Sequence, residues 1–453
     1  MSVETIREKE RDTPIAASCD ICVVGGSATG VFAAVAAARL GARVAIIERN
    51  GFLGGTATAG LVNIWHSVYD LGRRQRIIAG LTQEVIDRLE KRDAVTFGPT
   101  DLTYAMLNTD ELTIELDNLV QESGVQPFLH CIFAAPLVED GRVQAIIVED
   151  KTGRRAITAS NFVDATGDGD LIARAGLPWT KRDDPQPPTT CAVLYGLDEI
   201  RKKTPEFKLK NVVFDPERDG ALRQGFLWSA KMTGAPDLDL VFGTRVNGAD
   251  CSDADDLTRA EIEGRRQVRA ICDILKRDFK GADAISLVRL SSSIGIRETR
   301  HAECLYTLSE KDVLHGTRFP DAIANGSYPS DIHHSEKPGI TFRFLDGREE
   351  YKAPGRPIVR RRWLPEGEAG ATFWQVPYRS LIPQGSPNVL AAGRLIAADR
   401  AAYGAIRVMV SCNQTGQAAG VASYLAMQSR TSVADIDPDR LRQTLRDQGA
   451  TII

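Results

Sequence analysis

Asp20-Ile21-Cys22-Val23-Val24-Gly25-Gly26-Ser27-Ala28-Thr29-Gly30 is the stretch that decides how this chain folds. It reads as an apolar strand over residues 20–26, a glycine-rich turn, and an Ala-rich helix over residues 29–40. A second apolar strand over residues 43–48 completes a β-α-β unit. A dinucleotide fold needs a glycine for the tight turn, a minimal side chain where backbone meets pyrophosphate, and a glycine where helix packs on strand. The free N–H groups of the helix N-terminus then face the phosphates. Gly25, Gly26, Ala28, Thr29 and Gly30 suit that pattern, and Ser27 stands at the middle position in place of glycine. Serine is small, and its hydroxyl can bond a phosphate oxygen. Glu48 ends the second strand at roughly the twenty-residue spacing at which a carboxylate meets ribose hydroxyls. Turn, helix and acid together predict dinucleotide binding.

Working outward, Asn50 to Gly60 form a second glycine-rich loop, centred on Gly54-Gly55-Thr56-Ala57. A simple nicotinamide fold would begin its next helix here. The loop suits close backbone approach to a second part of a longer cofactor; a flexible surface loop is the other reading. Residues 110–123 have helical spacing and stop at Gly124. Residues 125–131, 134–139, 143–150 and 155–159 read as strands, with turns at Asp140-Gly141 and Thr152-Gly153. Another strand, 161–165, ends in Thr166-Gly167-Asp168-Gly169-Asp170. Lys181-Arg182-Asp183-Asp184-Pro185 reads as a linker, and the sequence to about residue 370 shows no βαβ units. A strand over 389–393 and a long Ala/Gly/Val-rich helix over 405–428 follow, the helix suited to packing beside a sheet. The predicted organisation is a flexible tail (1–18), a discontinuous cofactor domain (19–180 and 371–453) and an inserted substrate domain (181–370).

Composition excludes several classes. The hydrophobic fraction of 43% and charged fraction of 26% are those of a folded protein able to bury a large cofactor. The net charge of −4, with interspersed signs, argues against nucleic acid and anionic lipid as partners. The first eighteen residues are charged and contain no apolar run long enough for a signal-peptide core or a membrane span, which predicts a cytoplasmic protein. Eight cysteines are too sparse for a disulfide framework. Cys19 and Cys22 form a CxxC that opens a strand rather than a helix, so they are expected to be strand cysteines and not a redox pair. The six histidines and eight cysteines show no metal-ligand spacing, so no metal is expected. There is no GxSxG elbow for a Ser-His-Asp hydrolase.

Several motifs recur in one order: the run through Glu48 and Gly54-Gly55-Thr56-Ala57-Thr58; Asp164-Ala165-Thr166-Gly167-Asp168-Gly169-Asp170; Gly295-Ile296-Arg297-Glu298-Thr299-Arg300; Phe319-Pro320-Asp321-Ala322-Ile323 with Asp331-Ile332-His333; Pro377-Tyr378-Arg379-Ser380-Leu381-Ile382-Pro383; and Asn388-Val389-Leu390-Ala391-Ala392-Gly393-Arg394 leading to Arg407-Val408-Met409. In these, over nearly the whole chain, the sequence resembles the FAD-dependent oxidoreductases of the glutathione-reductase-like superfamily, and more narrowly a bacterial branch of them. The resemblance implies an α/β fold with a two-dinucleotide-binding-type, Rossmann-like FAD domain, discontinuous and carrying a mixed α+β insertion. It implies that Gly25, Gly26, Ser27, Ala28, Thr29 and Gly30 meet the pyrophosphate. Glu48, with Arg49 beside it, would meet the adenosine ribose, and Gly54, Gly55, Thr56 and Ala57 the ribityl and flavin end. Phe133 would offer backbone to adenine, and Ala165, Thr166, Gly167 and Asp168 would lie over the diphosphate. Gly393 and Asp399 would sit near the ribityl chain. Val408 and Met409 would point helix N–H groups at the flavin C2 carbonyl, where reduced flavin carries negative charge.

The candidates for chemistry are Arg297, His301, His333 and His66. Arg297 and His301 share a face if their segment is a strand, giving a cation beside a base, or Arg297 makes a structural ion pair. His333 would have its tautomer fixed by Asp331 or lie in a solvated loop. His66 follows the flavin loop and faces the isoalloxazine ring or is structural. Arg360-Arg361-Arg362 reads as a solvated face. The expectation is an FAD enzyme passing a hydride from a small organic substrate to flavin N5. The alternatives are a flavin monooxygenase and a non-catalytic FAD-binding protein. No second GxGxxG unit and no redox dithiol support a pyridine-nucleotide disulfide reductase.

Overall fold

The computed structural model describes residues 4–98, 104–222 and 227–453. At its centre is a five-stranded, all-parallel sheet in the order Val389–Ala391, Asn161–Asp164, Ile21–Val24, Val44–Ile47, Gln126–Phe128. The middle strands are buried along their whole length, which is why they read as continuous apolar runs rather than alternating ones. Their register aligns Ala391, Asp164, Val24 and Ile47. The chain therefore leaves the sheet at one level at Ala392, Ala165, Gly25 and Glu48, the edge beyond which α/β sheets bind ligands.

Helix Ala28–Ala38 follows the first strand and is almost wholly buried. It is covered by helix Met409–Ser429, whose small residues bring two helices together: a Cβ on Gly416 would stand 2.1 Å from the Thr29 carbonyl oxygen, and one on Gly420 2.0 Å from that of Ala33. The Ala/Gly-rich helix thus packs mainly on a helix and also lies against the parallel sheet, where Asn161 donates to the Ser423 carbonyl at 2.9 Å. The single helix expected over 405–428 is two, Arg400–Ile406 and Met409–Ser429, and a further helix, Pro438–Asp447, follows. Val408 between the first two is extended, at φ −67° and ψ 146°. Tertiary contacts set the break, since no glycine or proline stands at residues 405–410.

A second sheet pairs Ile15–Ser18, Gly153–Thr158, Arg142–Asp150 and Ile132–Glu139. Ile15–Ser18, expected in the tail, runs parallel to Ala156–Thr158, so the predicted tail of 1–18 does not extend through these residues. Within 181–370 the packing is not uniform. A separate apolar core uses residues between Leu194 and Ile285, whereas Ala302, Phe319, Ile323 and Leu345 belong to the main core around the parallel sheet. Strands Ser330–His333, Ile340–Arg343, Arg348–Lys352 and Val359–Arg362 form an antiparallel sheet, with Arg360, Arg361 and Arg362 exposed. Among the described residues no helix is long and apolar enough to cross a membrane.

Candidate active site

A cavity of about 990 Å³ opens at the carboxyl edge of the parallel sheet. Gly25, Ser27, Ala28 and Thr29 line it, while Gly26 and Gly30 do not. Each glycine has a separate reason. Gly25 has φ +104°, and a Cβ there would stand 2.6 Å from the Ala165 carbonyl oxygen; one on Gly30 would stand 1.9 Å from that of Gly25. A Cβ on Gly26 would stand 2.6 Å from Leu53 Cδ2 and 2.7 Å from Glu48 Cβ, and the Gly26 amide donates to Glu48 Oε2 at 2.8 Å. Ser27 is the helix N-cap: its hydroxyl accepts from the Gly30 amide at 3.3 Å and reaches toward the Ala165 carbonyl at 3.4 Å. The serine at the middle position thus satisfies one of the free donors of its own helix.

The second glycine loop is pinned to the first. The Gly54 amide donates to the Gly26 carbonyl at 2.8 Å, and a Cβ on Gly55 would meet Ser27 Cβ at 2.9 Å. Gly54, Gly55 and Thr56 line the cavity with Glu48 and Arg49; Ala57 is fully buried outside the lining. Phe133, Ala165, Thr166, Gly167 and Asp168 also line it. The turn carrying Ala165 to Asp168 is fixed by buried Asp164, which accepts from Thr166 N–H and O–H and from the Ile172 amide. Burial pushes its carboxyl up to about 6. Asp168 accepts from Arg394 at 2.7 Å and from the Thr299 hydroxyl at 2.8 Å.

Gly393 lines the cavity, but Asp399 does not. Its two oxygens cap helices instead, accepting from Ala402 at 2.8 Å and from Glu310 at 2.5 Å. The residue beside Gly393 on the wall is Arg394, which the sequence reading passed over. Val408 and Met409 line the cavity at a helix N-terminus that has no side-chain cap. One turn further in, Asn413 is 1% exposed and also lines it, and neither polar atom of its side chain has a hydrogen-bond partner. A backbone cradle that a Cβ would fill, an uncapped helix N-terminus and an orphaned amide together fit a large, polar, partly anionic group such as FAD.

The far wall gathers ionisable side chains. His66, at the end of strand Ile64–His66, packs tilted against Tyr328 with ring centroids 4.1 Å apart, and among the described residues no hydrogen bond is made to its nitrogens. Burial lowers its pKa to about 4, so it is neutral at neutral pH. The Tyr328 hydroxyl donates to Asp331 Oδ2 at 2.8 Å. Burial opposes ionisation of Asp331, but His333, Arg407 and Tyr328 hold its carboxyl below the usual range. His333 places Nε2 3.2 Å from Asp331 Oδ1 and Nδ1 3.3 Å from Arg245 Nη2. A guanidinium only donates, so Nδ1 is the acceptor and Nε2 carries the proton toward Asp331. Nδ1 is thereby engaged, whereas Nε2 lies at ion-pair distance from Asp331 Oδ1 without a directed hydrogen bond.

Arg297 lines this wall, bonded to the Pro187 carbonyl and to Thr189 Oγ1, each at 2.5 Å. His301 does not share it. The strand begins only at Arg300 (Arg300–Ala302), so strand alternation never brings residues 297 and 301 to one face. His301 lies outside the lining, against Glu298 and Arg182 and edge-on to Tyr403. Cys131, Cys191 and Cys412 line the cavity, but burial pushes their thiols up to about 11, 12 and 12, so none is a poised thiolate.

The yeast Schizosaccharomyces pombe mitochondrial dihydrolipoyl dehydrogenase is 25% identical over 159 residues, 33% of this chain; the match spans 28% of that relative's length. Among solved structures, a geranylgeranyl bacteriochlorophyll reductase-like protein from Thermoplasma acidophilum aligns over 95% of this chain and 83% of its own, at 12% identity and TM-score 0.46. p-Nitrophenol 4-monooxygenase from Pseudomonas putida aligns over 64% of this chain and 71% of its own, at 13% identity and TM-score 0.40. A family model described as FAD dependent oxidoreductase matches residues 20–445. With that match over most of its length, the chain belongs to the FAD-dependent oxidoreductase family, and its cofactor is FAD.

Proposed function

We propose that the protein oxidises a small organic substrate held against the far wall of the cavity by removing a hydride and a proton, two electrons and two hydrogens in all. The observation that carries this reading is that one cavity has in its walls both the Gly25–Thr29 turn and His66, whose nitrogens make no hydrogen bond among the described residues. When bound, FAD supplies the acceptor for the hydride, the electron pair together with its hydrogen. The turn, the Gly54–Thr56 loop, and the helix start at Val408 and Met409 hold it, and Asn413 supplies an amide able both to donate to and to accept from its polar edge.

In this reading His66 takes the proton. It is neutral at working pH, it faces the cavity, and its ring packs against that of Tyr328 with centroids 4.1 Å apart. His333 is a positioning residue, because its Nδ1 accepts from Arg245 and its Nε2 lies beside Asp331 rather than free in the cavity. Residues 19–180 and 371–453 form most of the cofactor wall, and Arg245, Arg297 and His333 from 181–370 form the substrate wall, so the substrate lies between the two. The test is anaerobic mixing of the yellow holoenzyme with small alcohols, amines and organic acids. Bleaching of the flavin absorbance by a substrate alone supports the reading. Bleaching only after an external reductant is added points to monooxygenase chemistry, and no bleaching by either points to a binding role.

A further inference from the structure

The far wall carries three guanidinium groups, those of Arg245, Arg297 and Arg407, against one carboxylate, Asp331. Arg245 is 6% exposed, and the side chain of Arg407 12%. Arg245 Nη1 and Arg297 Nη1 lie 2.6 Å and 2.5 Å from the same oxygen, Thr189 Oγ1, so two like charges are held side by side. Their remaining partners are neutral: the Thr244 and Pro187 carbonyls and His333 Nδ1. Among the described residues neither has a carboxylate in ion-pair contact. Arg407 Nη2 lies 3.3 Å from Asp331 Oδ2, but neither this nitrogen nor its Nε makes a directed hydrogen bond.

Guanidinium groups stay protonated in proteins, and buried charge is costly unless an opposite charge meets it. With His66 and His333 neutral, this wall has a surplus of two positive charges. The other acids lining the cavity are already engaged: Asp168 pairs with Arg394, Glu48 holds Gly26 and Asn50, Asp170 pairs with Arg300, and Asp70 closes its own loop on Arg74 and Gln75. Beside the arginines the wall turns apolar. Phe242 and Trp228 lie with ring centroids 5.2 Å apart, and Phe242 is three residues from Arg245 in the chain.

We propose that the substrate is an organic acid whose carboxylate docks on the Arg245–Arg297 pair while its apolar body lies against Trp228 and Phe242. Two flat donor forks side by side suit a planar two-oxygen anion. The inference rests on the FAD reading above for the identity of the opposite wall.

The experiment uses FAD-loaded full-length protein, whose flavin content is measured first so that a failure of FAD binding is seen separately. Phenylacetate, its neutral counterpart phenylacetamide, acetate and inorganic phosphate are each titrated while the flavin absorbance and melting temperature are followed. Phenylacetate is expected to give a saturable flavin perturbation and a rise in melting temperature, with phenylacetamide at least tenfold weaker. Arg245→Met and, as a second variant should that one not fold, Arg297→Met are expected to weaken the phenylacetate response at least tenfold while keeping the wild-type flavin content. Equal responses to phenylacetate and phenylacetamide, a response to phosphate with none to either carboxylate, or no response to any probe from fully flavin-loaded enzyme would overturn the proposal. So would arginine variants that lose FAD rather than the carboxylate response, since the pair would then serve the cofactor.

Discussion

Glu48 Oε2 accepts the Gly26 amide at 2.8 Å, so the acid that ends one strand also closes the turn that follows its neighbour. Oε1 accepts from the backbone and side chain of Asn50, at 2.8 and 2.7 Å. A carboxylate offers about four lone-pair sites, and three are used by the protein. One remains for a ribose hydroxyl. Glu48→Ala should weaken FAD binding by roughly tenfold to a hundredfold, the value of about one bond to a charged acceptor. It should also destabilise the flavin-free protein by about 1–3 kcal/mol, because the Gly26 amide is left buried without a partner. FAD titration of the apoprotein and its chemical unfolding measure the two effects. If both were unchanged, the assignment would be wrong.

Asn413 separates the two effects. Its amide is buried and unpartnered without FAD, so Asn413→Leu removes an unsatisfied polar group of similar size. The flavin-free protein should keep or gain stability, while FAD affinity falls about tenfold or more. A parallel loss of stability and affinity would mean that Asn413 serves the fold alone.

The buried histidines make the flavin-free protein acid-labile. His66 and His334 are lowered to about 4 and His333 further, each chiefly by burial. In the unfolded chain histidine titrates near 6.5. Between these values the unfolded chain binds protons that the folded chain refuses, so stability falls as pH drops from about 6.5 toward 4. Asp164, raised to about 6, works the other way for one proton. A net excess of about two protons gives a slope near 1.4 kcal/mol per pH unit for each. Urea unfolding at steps from pH 7 to pH 4.5 should show the decline, and a flat or rising profile would contradict it.

His66→Asn tests the proton acceptor. Anaerobic flavin reduction by a substrate that bleaches the wild-type enzyme should slow by about 10²- to 10⁴-fold, with flavin content unchanged. In the wild type the rate should be level from pH 6 to 8 and fall only near pH 4, where His66 becomes protonated. A variant reducing at the wild-type rate would remove His66 from the chemistry.

The parts of this molecule that were legible in the sequence are local ones. Strand Ile21–Val24, the glycine turn, helix Ala28–Ala38 and Glu48 follow one another within reach of periodicity and turn chemistry. Asp399 carried a readable signal that was misassigned: an aspartate before an Ala-rich segment is an N-cap pattern, and capping is what it does. The break at Arg407 and Val408 had no such signal, because an ion pair to Asp331 and a place in the cavity wall fix it from a distance. Arg245 lay outside every motif, and only the fold brings it to Arg297 through Thr189. His301 was placed with Arg297 by assuming a strand that starts three residues later.

The most direct measurement of the central claim is the FAD content of the purified, folded protein, read from the flavin released on denaturation and from titration of the stripped protein. The expected result is one FAD per chain, taken up again by the apoprotein with the return of the yellow colour and a higher melting temperature. A folded protein that is colourless and gains neither absorbance nor stability from added FAD would contradict the account.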